Sequence, residues 1–138
     1  MTNLDKNYLR VKGITETLEA IAQGRLYECP KCGEYVEDNN LFCPCCGEQV
    51  DLINDESGWQ QVSMWDYFSD ALDIEYIIGG DRQYRGVRVT VAFGGPNIYI
   101  DTLKGCVDLY WWDKSASYNL TRAVCDEIDE MFEKLYNS

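Results

Sequence analysis

Seven cysteines give this chain its most recognisable chemistry, because four of them stand in two closely matched turns. The turns are Cys29-Pro30-Lys31-Cys32-Gly33 and Cys43-Pro44-Cys45-Cys46-Gly47, with ten residues between Cys32 and Cys43. A Cys-x-x-Cys-Gly turn aims both sulfurs at one point, and its glycine accepts the positive φ at the exit of the turn. Two such turns supply the ligands of one tetrahedral metal ion. We therefore predict a single structural Zn²⁺ bound by Cys29, Cys32, Cys43 and Cys46.

The paired turns resemble those of short double-knuckle zinc ribbons, in which a CPxCG turn is followed by FCPxCG. Phe42 precedes the second pair here as it does in those ribbons. The resemblance covers residues 29–50 and implies a small metal-stabilised ribbon. Such ribbons serve many proteins as structural staples or docking surfaces, so the resemblance implies a metal site without specifying a function.

A disulfide framework is the alternative interpretation of seven cysteines. Charged residues interrupt the first twenty positions, so we find no apolar signal segment and expect a reducing cytoplasm, where paired CxxC turns favour metal. Cys45, Cys106 and Cys125 are then left over. We interpret Cys45 as a bystander, with a spare ligand as the alternative. Cys106 and Cys125 are interpreted as small apolar residues, with a nucleophile as the alternative.

The net charge of the chain predicts the charge of the surface that it binds. It carries 24 acidic and 12 basic residues, for a formal net charge of -12. Residues 28–51 alone hold six carboxylates against Lys31. Binding to phosphates requires basic residues, so we predict no direct contact with nucleic acid and instead expect a basic protein surface as partner, with a homodimer as a further possibility. The alternative is that the acidity only maintains solubility.

The hydrophobic pattern predicts an α+β fold. Of the residues, 46% are hydrophobic and 13% aromatic, which suffices for a packed core, and no apolar run approaches the ~20 residues of a membrane span. We predict a helical lead over 1–28, broken at Gly13 or divided into two short helices. A linker over 51–62 separates the ribbon from an α+β domain over 63–138, which opens with a short helix over 63–72.

Within that domain the period changes from helical spacing to alternation. The alternation predicts a four-stranded antiparallel sheet, with strands near 74–78, 84–93, 97–101 and 106–112. After position 114 the spacing is again helical, and a C-terminal helix is expected to cover the sheet. Its predicted apolar stripe is Leu120, Val124, Ile128, Met131 and Leu135.

Two groups of residues are candidates for partner binding. The first is a run of carboxylates on the C-terminal helix, for which a solvated helix face is the alternative: Asp126, Glu127, Asp129, Glu130 and Glu133. The second is an alternation of aromatic and acidic residues on the outer face of the sheet, where ordinary hairpins are the alternative: Tyr99, Asp101, Asp108, Tyr110 and Trp112. Aromatic residues dominate binding hot spots, and acidic neighbours select a basic partner.

The sequence argues against catalysis. It contains no His and no GxSxG, GxxxxGK(S/T) or GxGxxG motif in the required context. The C-terminal part resembles small acidic proteins carried by phages and mobile elements. The strong negative charge of a folded, aromatic-rich domain without catalytic motifs predicts a non-enzymatic inhibitor of the DNA-mimic type, like anti-restriction or anti-CRISPR proteins. Its target would be a basic nucleic-acid-binding defence protein. The alternatives are a zinc-ribbon regulatory adaptor that recognises a protein or peptide, and a small enzyme that uses carboxylates or Cys125.

Overall fold

A computed structural model describes residues 3–138, and it begins with one long helix. Helix α1 spans Asn3–Ala22 and passes through Gly13 without a break. Its buried side chains, Val11, Leu18 and Ile21, share one hydrophobic cluster with the main sheet. The predicted break at Gly13 is therefore absent, and the segment is a single helix. Packing of its buried face outweighs the ~1 kcal/mol that a glycine costs in a helix interior. The helical lead thus contributes to the same core as residues 63–138.

The main sheet has five antiparallel strands in sequence order. They are β4 (Asp73–Ile78), β5 (Tyr84–Ala92), β6 (Asn97–Asp101), β7 (Cys106–Trp111) and β8 (Lys114–Asn119). The α+β class is confirmed, and four strands lie close to their predicted positions. The fifth, β8, falls where we predicted the beginning of the helix. It has few apolar residues, and the turn before it starts with Trp112 at φ 60 rather than with glycine.

Two further helices belong to the same core. Helix α2 spans Met64–Phe68 and is shorter than predicted; Ser63 and Asp66 form a capping box at its start. Helix α3 spans Arg122–Asn137 and is capped by the Thr121 side chain. The fully buried positions of α3 are Val124, Ile128 and Phe132. Met131 of the predicted stripe packs against the core in a partly buried position, whereas Leu135 is 37% exposed. Phe132, which the predicted stripe omitted, is buried because it continues the i, i+4 row of Val124 and Ile128.

The sheet has one apolar face, against which α1 and α3 pack, and α2 packs on α1 and α3 within the same hydrophobic cluster. That face carries Val87, Val89, Ile100, Val107 and Leu109, each with no exposed surface. Strand alternation places polar residues on the opposite face, among them Arg88, Thr90, Tyr99, Asp101 and Asp108. The acidic and aromatic residues singled out from the sequence therefore lie away from the helices.

The ribbon is held by a separate, smaller sheet. Its strands are β1 (Leu26–Glu28), β2 (Tyr35–Glu37) and β3 (Gln60–Gln61), in the order β2-β1-β3. The segment predicted as a linker, 51–62, contains a 3-10 turn over Asp55–Ser57 and then β3, which pairs with β1. Val62 follows and is buried in the main core. The chain thus passes from the ribbon to the main sheet through paired backbone.

Among the residues that the structure describes, no helix combines the length and apolarity needed to cross a bilayer. Helix α1 is long enough at 20 residues, but charged side chains recur along it.

Candidate metal centre and acidic surface

The two cysteine turns have the same backbone conformation. In the first, the Gly33 N–H donates to the Cys29 carbonyl at 2.9 Å and the Cys29 N–H donates to Glu34 at 2.8 Å. In the second, Gly47 and Cys43 make the equivalent bonds at the same two distances. Gly33 and Gly47 have φ of 79 and 81, a region that a residue with a Cβ adopts only at a cost. The sequence repeat is therefore a structural repeat.

Each turn is held by its own pair of strands. Strands β1 and β2 form the hairpin whose tip is the first turn, and an isolated bridge between Phe42 and Gln49 closes the second. The two hairpins bring Cys29, Cys32, Cys43 and Cys46 together, so that all four sulfurs lie within 4.8 Å of one another. The four residues predicted as ligands form one cluster.

The spacing of the sulfurs matches a metal site rather than disulfides. Cys29 and Cys46 have their sulfurs 3.6 Å apart, and so do Cys32 and Cys43. A tetrahedral ion with metal–sulfur bonds of ~2.3 Å separates its sulfurs by about 3.8 Å, whereas a disulfide bond is ~2.05 Å long. All seven cysteines are free thiols. Four thiols at this spacing can hold one metal ion.

Backbone N–H groups favour the thiolate form of one ligand in particular. The Cys46 N–H points at the Cys43 sulfur, and together with the Cys45 N–H it lowers the pKa of Cys43 to about 7. The Glu34 N–H acts on Cys32 in the same direction, but burial and the neighbouring thiols of Cys43 and Cys46 raise the pKa of Cys32 overall. Four crowded sulfurs cannot all ionise without a cation between them, which is the electrostatic requirement that a bound metal meets.

A small apolar cluster surrounds the sulfurs. Cys29, Val36 and Cys43 are almost fully buried, and Val50 and Trp59 pack against them. The indole N–H of Trp59 donates to the Gln49 carbonyl at 3.1 Å. This cluster has few residues besides the ligands, so the ribbon has little hydrophobic stabilisation of its own.

The three other cysteines lie outside the metal cluster. Cys45 is exposed on the second turn. Cys106 is buried on the polar face of the sheet, where its thiol donates to Asp108 at 3.3 Å. Burial raises the pKa of Cys106, and burial with the nearby Asp129 and Asp126 raises that of Cys125. Both environments therefore disfavour a nucleophilic thiolate.

Four of the five α3 carboxylates face solvent. Asp126, Glu127, Glu130 and Glu133 are exposed, while the opposite side of the helix is buried. Six ion pairs occur among the described side chains, and only that of Lys134 with Glu130, at 3.4 Å, involves one of these four residues. We call these four residues the acidic face of α3. Within the acidic face, Glu130 alone has a cation within ion-pair distance among the described side chains.

Asp129 differs from the acidic face and serves the interior. Its carboxylate accepts hydrogen bonds from the Tyr84 hydroxyl at 2.6 Å and the Thr102 hydroxyl at 2.7 Å. Burial and the bond to Asp129 raise the pKa of Tyr84 well above its ordinary value. This network joins α3 to β5 and to the turn after β6, a role that spacing along the helix could not reveal.

The residues predicted on the outer face of the sheet separate into buried and exposed groups. Asp101 and Asp108 are 3% and 7% exposed. Asp101 accepts the Lys104 backbone N–H within the hairpin turn, and Asp108 pairs with the Lys104 ammonium at 3.4 Å. The alternation along the strands correctly indicates the face of the sheet on which Asp101 and Asp108 lie. Neighbouring side chains and the turn nevertheless shield both carboxylates from solvent.

The aromatic residues of that group remain accessible. Tyr99 is half-buried beneath Arg88, whose guanidinium lies 3.8 Å from the ring centroid. Tyr110 contacts Tyr99 and is 41% exposed, and Trp112 at the tip of the β7–β8 hairpin is 87% exposed. Sequence reasoning missed Arg88, which also pairs with Glu75 at 3.7 Å. Its cross-strand position opposite Glu75 is the signal that could have indicated it.

Comparisons with protein-family models, curated proteins and solved structures find no match for this chain.

Proposed function

We propose that this chain is a non-enzymatic interaction module in which one Zn²⁺ stabilises a small ribbon and the acidic face of α3 binds a basic surface of another protein. The acidic face carries the proposal: Asp126, Glu127, Glu130 and Glu133 are exposed together on a helix anchored through its other side. Like charges at i, i+3 and i+4 destabilise an isolated helix. Their retention is readily explained if a cationic partner stabilises them.

Zinc is the metal that best fits the cysteine cluster. Four thiolates in two CxxCG turns with tetrahedral spacing are typical of closed structural zinc sites. Such a site leaves no open position for a reacting water, so the ion contributes stability rather than chemistry. The small apolar cluster around the sulfurs supports this role, because little else would hold the ribbon together.

The finer proposal concerns the class of partner. Nucleic-acid-binding proteins present grooves lined with Lys and Arg, and a rigid helix with a row of carboxylates can occupy such a groove as a phosphate backbone does. The net charge of -12 would steer association and repel nucleic acid itself. A DNA-mimic inhibitor of the anti-restriction or anti-CRISPR type fits these properties.

The experiment is a pull-down from cell extract with the zinc-loaded protein, probed for nucleases and polymerases at low and high salt. A quadruple variant, Asp126→Asn, Glu127→Gln, Glu130→Gln and Glu133→Gln, removes the acidic face. The control variant neutralises four exposed carboxylates of the ribbon and the 3-10 turn: Glu34→Gln, Asp38→Asn, Asp55→Asn and Glu56→Gln. Each variant changes the formal charge from -12 to -8.

We expect the parent and the control variant to retain a basic partner at low salt and to release it at high salt. The acidic-face variant should fail to retain that partner at low salt. Equal loss in both variants would mean that total charge matters and α3 does not. Absence of any basic partner at low salt would overturn the proposed function.

An adaptor that binds through its ribbon is the second candidate. Leu41 and Phe42, just before the second cysteine turn, are 77% and 58% accessible, and apolar residues at this exposure suit a specific protein contact. Leu41→Ala separates the two functions. An adaptor would lose its partner on this change and keep it in the acidic-face variant, whereas a DNA mimic would show the reverse.

A further inference from the structure

A groove runs between the start of α2 and the outer side of α3. Its volume is about 480 Å³, within the range of sites that take a few side chains. From α3 the groove receives Glu127, Glu130, Met131, Lys134 and Leu135, which follow the i, i+3, i+4 spacing of a single helical face. Two residues of the acidic face of α3, Glu127 and Glu130, therefore lie on one wall of a groove.

The floor of this groove is apolar. Its lining includes Met64, which is 6% exposed, and Leu135, which is 37% exposed. Trp65 lines it from α2 and leaves 55% of its surface in solvent, although its neighbour Met64 belongs to the main core. Trp is the residue most often found at binding hot spots, and Met side chains adapt to several partners.

The rim of the groove is acidic. Glu127 and Glu130 stand on it, and Lys134 is the basic residue in its lining. The Lys134–Glu130 pair has both side chains at least 70% exposed, so it is weak and readily exchanged for another cation. Glu127 belongs to none of the ion pairs formed by the described side chains. An occupant must therefore combine apolar and cationic groups.

We propose that this groove binds a basic amphipathic helix of the partner protein. Apolar side chains of that helix pack on Trp65 and Met131, and flanking Lys or Arg side chains reach Glu127 and Glu130. A groove with an apolar floor and a charged rim is the surface that amphipathic helices recognise through i, i+3 and i+4 anchors. A second copy of this chain is the wrong occupant, because its net charge of -12 opposes the acidic rim. The inference rests on the proposed function and adds the partner's chemistry to it.

The probe is a pair of fluorescein-labelled peptides with identical Leu and Lys composition. One orders them as an amphipathic helix and the other scrambles them, so that charge is the same and only the apolar stripe differs. Anisotropy titrations with the zinc-loaded protein give both affinities at low and at high salt. We expect the amphipathic peptide to bind more tightly and to retain part of its affinity at high salt, because apolar contacts are not screened.

The variant that tests the groove is Trp65→Ala, and Phe93→Ala is its control. Phe93 is 73% exposed on the β5–β6 turn and lies outside the groove lining. We expect Trp65→Ala to weaken the amphipathic peptide by at least about tenfold and to leave the scrambled peptide unchanged, while Phe93→Ala changes neither. Thermal melting verifies that both variants fold, as their exposed positions predict.

The outcomes separate this inference from the proposed function. Equal affinity for both peptides, or no effect of Trp65→Ala, overturns the helix-binding groove. If the acidic-face variant still loses its partner in the pull-down, the proposed function stands without the groove. Loss of the amphipathic peptide on Trp65→Ala with no basic partner retained from extract supports the groove and overturns the DNA-mimic function.

Discussion

Asp129 shows how one carboxylate in an acidic run can have a different role from its neighbours. Thr102 has a single hydroxyl proton, and it donates that proton to Asp129 at 2.7 Å while accepting the Val87 N–H at 2.9 Å. The bond to Tyr84 completes a network at the junction of α3 and the sheet. Asp126, one turn earlier, makes no such contacts and is exposed.

This contrast predicts unequal effects of two substitutions of the same type. Asp129→Ala leaves the Thr102 and Tyr84 hydroxyls without their acceptor, and we expect it to lower the free energy of unfolding by about 1–3 kcal/mol. Asp126→Ala, as the matched control, should change it by less than about 0.5 kcal/mol. Urea unfolding measures both. Equal effects of the two substitutions would show that the network contributes nothing to stability.

Cys45 offers a similar test within the second cysteine turn. It lies between Cys43 and Cys46 in sequence, yet only its neighbours belong to the cluster of four sulfurs. We expect Cys45→Ser to keep one zinc ion per chain and Cys43→Ser to lose it, as native mass spectrometry would show. Loss of metal in Cys45→Ser would contradict the assigned ligand set.

At the scale of elements, local signals explain most of what the sequence predicted. The cysteine turns are encoded in five consecutive residues each, and strand alternation with glycine-containing turns located β4 to β7. Strand β8 was not predicted because its alternation is weak. Only Ala116 and Tyr118 of this strand contact the core, and the other positions include the polar residues Lys114, Ser115 and Ser117. The burial of Asp101 and Asp108 was not predicted either, because it depends on Lys104 and on neighbouring strands rather than on the alternation of residues along one strand.

Helix α3 combines a well-packed face with mutually repelling charges, and this predicts a trade between stability and binding. Removing the acidic face in the quadruple variant relieves like-charge pairs at i, i+3 and i+4. We expect the variant to be about 0.5–1 kcal/mol more stable at low salt, and the gain to vanish near ~1 M salt, where charges are screened. Urea unfolding at both salt concentrations measures this.

Lys134→Gln is the control of opposite sign. It removes the cation that pairs with Glu130 and lies in the last turn of α3, where positive charge favours the helix dipole. We expect it to cost about 0.3–0.5 kcal/mol at low salt. A quadruple variant less stable than the parent at low salt would mean that the carboxylates stabilise the fold, and the argument for a functional acidic face would lose its energetic basis.

At the scale of the whole molecule, two cores of unequal size share one chain. The larger unites the three helices with the main sheet, and the smaller consists of the ribbon cluster around the sulfurs. Paired backbone between β1 and β3 connects them. We expect the smaller core to depend on the proposed metal, so the two cores should respond differently when that metal is removed.

Chelation of the proposed zinc therefore has a predicted regional effect. We expect the amides of Cys29, Val36 and Cys43 to lose protection in hydrogen exchange, while those of Val89 and Leu109 in the main sheet keep it. Acid should act in the same direction, since protons displace the metal from its thiolates. Simultaneous loss of protection in both cores would show that they unfold as one unit.

The central claim, that the acidic face of α3 takes the place of a nucleic acid on a basic protein, is tested most directly by displacement. A nuclease or polymerase retained in the pull-down is first saturated with a short fluorescent DNA duplex, and zinc-loaded protein is then titrated in while anisotropy is followed. We expect the parent and the ribbon control variant to release the duplex and the acidic-face variant to leave it bound. A stable complex containing partner, duplex and this protein together would contradict it.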